Sequence, residues 1–255
     1  MTRIKKLIKT TLKYINLLFN NSDKTKTIYN KFIFHNYKLF SNKISNSENK
    51  ILVEDYNHTS SYIAFSYYAN YLSKKYNANI YFYDVKYEGV LRFIKRKIRN
   101  YFLKDIKSIQ NSIGSKGLIK IIKSNFFLTF KIWSQLNNKL ITKEKVLNTK
   151  IYSIPIGDLL YDTFQKEEDE HTLNPSSFKF KIHLFKFINI FLFWYFFLEK
   201  NNVKSIIGSH TVYFNGLPLR IAIFKNIKVY SCGNSWAFHL TKKYICHHSN
   251  MKKNL

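Results

Sequence analysis

Carboxylates are scarce in this chain: 15 Asp and Glu stand against 42 Lys and Arg, a net charge of +27 over 255 residues. None occurs before Asp23. A field of that sign attracts polyanions, whether nucleic acid, anionic lipid headgroups or nucleotide phosphates. Lysine is spread along the whole chain with Asn, Ile, Phe and Tyr, so charge alone selects none of the three. Cysteine is nearly absent. Cys232 and Cys246 are the only two, which excludes a disulfide framework and makes a reducing compartment the default. The longest uncharged apolar stretch, FINIFLFWYFFL from Phe187 to Leu198, falls short of the roughly 20 residues a bilayer span requires. It reads as a buried core helix, with a membrane-dipping segment as the alternative. Residues 1–20 make no secretory signal, because Lys9 and Lys13 interrupt the apolar stretch and no small-residue cleavage site follows.

What is present suffices for a packed core, since hydrophobic residues make up 45% and charged residues 22%. Residues 1–49 read as a basic amphipathic helix and a linker. Ile4, Leu7, Ile8, Leu12, Ile15 and Phe19 share one helical face, and Lys5, Lys6, Lys9 and Lys13 fall on the other. That segregation suits an anionic membrane surface; a helix packed on the domain with a solvated basic face is the other reading. Residues 20–50, rich in Asn and Ser, are expected to be linker around a short apolar patch.

From residue 50 the pattern changes. KILVEDY is a compact strand-like run, NHTSSYIAFSYYANYLSKKY an amphipathic helix, and ANIYFYDV a second strand rich in aromatic and branched residues. Strand, helix and strand in that order form a βαβ unit and imply a parallel sheet. Residues 87–148 read as mostly helical and basic, broken at Gly114 and Gly117, and a long apolar helix covers about 178–200. The run VKSIIGSH is then a buried strand, GLPLRIAIFK its helix and IKVYSC the next strand. The expectation for 50–255 is a Rossmann-like α/β domain: a parallel sheet with helices on both faces and a helical insertion.

Ligands of open parallel sheets sit outside the carboxyl ends of the strands. Ser209 and His210 end one strand, Asn57 and His58 follow the first, and Tyr213, Asn215 and Gly216 open the helix after His210. The free N–H groups of that helix start suit an anion or a sugar oxygen. His210 is placed as a general base or hydrogen-bond donor, or as a loop histidine satisfying backbone groups. Arg220, one turn in, reaches either a phosphate or a structural ion pair. Glu54 and Asp55 end the first strand as base, as acceptors for sugar hydroxyls, or as solvated caps; Asp55 is the candidate carried forward beside His210. The first βα turn holds no glycine, which excludes a dinucleotide-binding turn and a P-loop there. Asp158 reads as a helix N-cap with Asp162 one turn on, a pair short of a third metal ligand. Cys232, His239, Cys246, His247 and His248 fit no common zinc spacing. Neither a G-x-S-x-G nor an H-E-x-x-H motif occurs, so no metal and no cofactor is expected. Nucleic-acid binding would rest on charge alone.

Three stretches, KILVEDYNHTSSYIAFSYYANYLSKKYNANIY, IYSIPIGDLLYDTF and IIGSHTVYFNGLPLRIAIFKNIKVY, resemble in order and spacing the amino-terminal half of bacterial capsule and surface-polysaccharide biosynthesis proteins. Those are glycosyltransferases of the two-Rossmann (GT-B) type. The resemblance covers about residues 50–235; KSIQNSIGSKGLI is more weakly similar, and Gly–Asp–x–x–Tyr–Asp and Ser–His–x–x–Tyr are its most specific parts. It implies sugar transfer from a nucleotide-sugar to a glycan or lipid-linked acceptor, in a cleft faced by His210 and the polar strand ends. It also implies a cytoplasmic protein, peripheral at the inner face of the membrane. Two departures stand out. Gln165 and Lys166 occupy the place where the family tends to carry an arginine, and no second Rossmann domain is found, so a separate carboxyl-terminal half is the expected partner. The competing readings are a non-catalytic membrane-associated accessory protein and a basic nucleic-acid-binding protein.

Overall fold

The computed structural model describes residues 23–40, 47–55, 59–85, 110–122, 124–168, 172–233 and 237–245, and of 23–29 and 59–63 the backbone alone. The basic segment 1–20, together with Asn57 and His58, lies outside the described residues. Two compact units divide the chain, one of residues 1–46 and 88–117 and one of 47–87 and 118–255.

In the first unit the expected linker holds a helix, α1 (Asp23–Phe40). Its Asn36 is fully buried and donates from Nδ2 to Ser112 Oγ at 3.1 Å. A polar, Asn-rich run reads as linker because side-chain amides compete with helical hydrogen bonds. Here that amide finds a partner 76 residues away, a contact that local composition does not reveal.

The second unit carries β1 (Lys50–Glu54), α2 (Thr59–Tyr76) and β2 (Asn79–Tyr83). Next come β3 (Ser115–Ile119, of which Leu118 and Ile119 belong to this unit), α3 (Phe126–Asn137), α4 (Lys143–Leu147), β4 (Lys150–Ile151) and β5 (Ile154–Pro155). Then follow α5 (Gly157–Glu168), α6 (Phe178–Lys200), β6 (Val203–Gly208), α7 (Tyr213–Phe224), β7 (Lys228–Cys232) and β8 (Ala237–Leu240). The main sheet has the order β3-β2-β1-β6-β7-β8. Pairs β1/β2, β1/β6 and β6/β7 are parallel, and β8 closes one edge antiparallel to β7. This is the Rossmann-like α/β arrangement expected, with two additions. The break expected at Gly114 and Gly117 in the run 87–148 holds a strand, β3, and Asp84 N–H ties to Ile119 O at 3.1 Å. Strand β8 was not foreseen either. Both lie at sheet edges, where one-sided pairing leaves a weak sequence signal.

Strand alternation sorts the core into two faces. Ile51 and Val53 point one way, with α2 lying against β1, β2, β6 and β7. Leu52 points the other way, into a core shared with Ile206, Val229 and the helices α5, α6 and α7. The apolar stretch at 187–198 is the middle of α6, where Phe187, Ile188, Ile190, Phe191, Leu192 and Trp194 are fully buried. Among the described residues α6 is the one helix long and apolar enough to cross a membrane by length and composition, yet over half of its most apolar window is covered by the fold. Its packing is that of a core helix.

Candidate functional site

The crossover from β1 runs through α2 to β2, and that from β6 runs through α7 to β7, on the opposite side. Neighbouring strands whose connections diverge leave a crevice at their carboxyl ends. Here those ends are Glu54 of β1 and Gly208–Ser209 of β6.

Alternation places Glu54 on the same face as Leu52, toward α7. Its carboxylate is 2% exposed. Oε2 accepts the Ser209 backbone N–H at 2.6 Å and the Ser209 hydroxyl at 2.8 Å, and Oε1 accepts from Asn215 Nδ2. Burial, the largest influence, raises the Glu54 pKa above its ordinary 4.5, while the Ser209 and Asn215 donors and the nearby His210 act the other way. Tyr83 passes beneath. Its hydroxyl donates to Ile207 O at 3.4 Å, its ring meets Trp194 edge-on at 5.2 Å, and burial together with the Glu54 charge pushes its phenol well above the usual range. A Cβ at Gly208 would come within 2.9 Å of Leu219 and 3.2 Å of the Tyr83 hydroxyl, so glycine is what lets this floor close.

Above the floor, Ser209, His210, Thr211 and Val212 lead into α7. Tyr213 opens the helix in the left-handed region, at φ 57°, and Val212 at the N-cap offers no side-chain acceptor to the first turn. The loop folds under the helix because position 216 is glycine: a Cβ there would lie 2.2 Å from Thr211 O. Lys166, from α5, sets its ammonium 3.8 Å from the centre of the Tyr213 ring, a cation–π distance. The half-buried His210 thus stands three residues before a helix start whose Tyr213 ring carries a cation.

Of the residues anticipated from sequence, Ser209, His210, Tyr213, Asn215 and Gly216 converge here. Their roles differ from those expected. Ser209 and Asn215 hold Glu54, and Gly216 makes room for the Thr211 carbonyl. Asp55 gives way to Glu54 as the inward carboxylate: it stands one residue past the strand, partly exposed, with its N–H donating to Tyr83 O at 2.9 Å. The alternation of KILVE, with Leu52 and Glu54 on one face, was the signal that could have made this choice.

Arg220 and Asp158 belong elsewhere. The Arg220 guanidinium is 5% exposed and donates to Asp158 through Nη1 at 3.0 Å and Nη2 at 2.8 Å, with Nη1 also reaching Pro155 O at 2.9 Å. The ion-pair reading therefore stands and the phosphate reading does not. Helix α5 begins at Gly157, where a Cβ would lie 2.2 Å from the carbonyls of Val146 and Leu147. Asp158 is consequently inside the first turn rather than at the cap. Asp162 has its pKa raised by burial and by the Asp158 charge. No group of three or more His, Cys, Asp or Glu among the described residues is placed to hold a metal. Cys232 is buried on β7, and His239 on β8 lies against Tyr230 at 5.2 Å.

The chain matches no protein-family model, no curated protein and no solved structure.

Proposed function

We propose that the crevice between β1 and β6 takes a nucleotide-activated sugar and an acceptor hydroxyl, in a chain that acts as one half of a two-domain glycosyltransferase of surface-polysaccharide synthesis. One observation supports this most: Glu54, Ser209 and Asn215 lock the loop between β6 and α7 so that His210 stands at the carboxyl end of the sheet's switch point. In the transfer step the acceptor oxygen bonds to the anomeric carbon as the bond from that carbon to the diphosphate breaks. His210 takes the hydroxyl proton and the nucleoside diphosphate leaves with the electron pair. Lys166 and the α7 N-terminus are the groups that favour the departing negative charge. A second half is needed to align the donor, because most of the rate gain comes from that alignment.

A non-catalytic, membrane-associated accessory protein is the second reading, favoured by the fact that both Glu54 oxygens already accept protein donors. Calorimetric titration with a panel of sugar nucleotides, followed by a transfer assay with membrane extract, tests both. Weak, salt-sensitive binding that His210→Ala and Lys166→Glu each reduce is expected, with no turnover by the chain alone. Binding that neither substitution changes would overturn the assignment of this crevice. Transfer that appears only when a carboxyl-terminal half is added would exclude the accessory reading.

A further inference from the structure

Large apolar side chains ordinarily face inward, and a contiguous apolar surface marks a contact with something else. Helices α3 and α6 break the ordinary pattern together. On α3, Phe126, Phe130 and Trp133 fall at i, i+4 and i+7; on α6, Phe178, Ile182 and Phe185 do the same, and such residues share one helical stripe. The stripes are joined. Phe185 lies 5.8 Å from Phe126 and 6.2 Å from Trp133 between ring centres, and Trp133 Nε1 donates to Lys181 O at 2.9 Å. Exposure is high along both: Phe126 61%, Phe130 50%, Phe178 77% and Ile182 54%, with Phe127 beside them at 82%. The first turn of α3 is also fixed. Asn125 caps it, accepting from Leu128 N–H, and Asn189 of α6 donates to Thr129 and accepts from Ser124 N–H. The phenylalanines are therefore held outward on a braced helix start.

The two stretches that carry this face contain lysine and no carboxylate, and the carboxylate of Glu167 on α5 that reaches α6 is paired with Lys186 at 2.8 Å. No Asp or Glu occurs between Asp105 and Glu144, or between Glu170 and Glu199. Exposed Lys131 stands one turn after Phe127. A second copy of the chain would bring lysines against lysines, whereas an anionic lipid surface takes both the rings and the ammonium groups.

We propose that the aromatic face of α3 and the first turns of α6 docks on an anionic membrane, with Phe126, Phe127 and Phe130 entering the headgroup–acyl boundary and Lys131 meeting the headgroups. It is carried by residues other than those of the basic segment 1–20 and does not depend on the glycosyltransferase reading. The full chain carrying Lys→Glu at 5, 6, 9 and 13, which silences that segment, is co-sedimented with vesicles of phosphatidylcholine alone or with about one-third phosphatidylglycerol. Binding is expected to the anionic vesicles. Phe126→Ser/Phe127→Ser/Phe130→Ser should weaken it by about tenfold or more. Because Phe127 is almost wholly exposed, Phe127→Glu alone, with an unchanged circular dichroism spectrum, gives the same answer without loss of fold. Three results would overturn the proposal: undiminished vesicle binding by both variants, equal binding to neutral vesicles, or loss of a dimer or of single-stranded DNA binding with vesicle affinity intact.

Discussion

Glu54 and Ser209 stand 155 residues apart in the chain, and the Ser209 backbone N–H and hydroxyl both donate to one Glu54 oxygen, at 2.6 and 2.8 Å. The pair stitches the carboxyl ends of β1 and β6 at the point where their connections diverge. Because burial raises the Glu54 pKa, the folded state holds the proton more tightly than the unfolded chain does. The stability contributed by protonation is fully present below 4.5 and is lost as pH rises through the folded-state value. Glu54→Gln leaves at least one donor facing an amide N–H, at a cost of about 1–3 kcal/mol. That cost should be largest at the acid end and shrink as pH rises. Urea unfolding of both proteins across this range measures the difference.

Gly216→Ala should be the most damaging single methyl group at this helix start. The new Cβ meets the Thr211 backbone carbonyl oxygen at 2.2 Å, so no side chain can move aside to relieve it. A loss of about 3 kcal/mol, or roughly 6–12 °C in Tm, is expected in a thermal melt.

The Asp158–Arg220 pair is asymmetric, with side chains 53% and 5% exposed. Removing the carboxylate strands a buried cation, whereas removing the cation leaves a carboxylate that water reaches. Asp158→Asn should cost about 1–3 kcal/mol, less than a wholly buried pair loses. A double-mutant cycle with Arg220→Met, followed by chemical denaturation, reads the coupling directly.

Burial pushes the Cys232 thiol up to about 12. In a Cys246→Ser variant, an aromatic disulfide reagent at about pH 8 should find no reactive thiol in native buffer and one after denaturation. Rapid native labelling would show that β7 opens far more often than its packing implies.

The parallel sheet was legible because β1, β6 and β7 are short apolar runs followed by polar loops and amphipathic helices, a local grammar. The convergence of Ser209, His210, Tyr213 and Asn215 followed from the same grammar. What stayed hidden depends on partners distant in sequence. Asn36, in a run that reads as linker, is buried against Ser112, and Arg220 is held away from the site by Asp158 and the Pro155 carbonyl, 62 and 65 residues earlier. Choosing Glu54 over Asp55 required only the strand's alternation, but two adjacent carboxylates at a strand end carry the same chemistry until register separates them.

Helix α6 has a consequence for how the protein is made. Synthesis runs from the amino end, so α6 leaves the ribosome before α7, which supplies part of its cover. For that interval the nascent chain presents a 23-residue apolar helix of the kind that insertion machinery accepts and that drives aggregation of half-made proteins. Lys179, Lys181 and Lys186 lie in its first half, with the partly polar His183 and Asn189. They lower its hydropathy at the end that emerges first, and so favour completion of the sheet over capture by a bilayer.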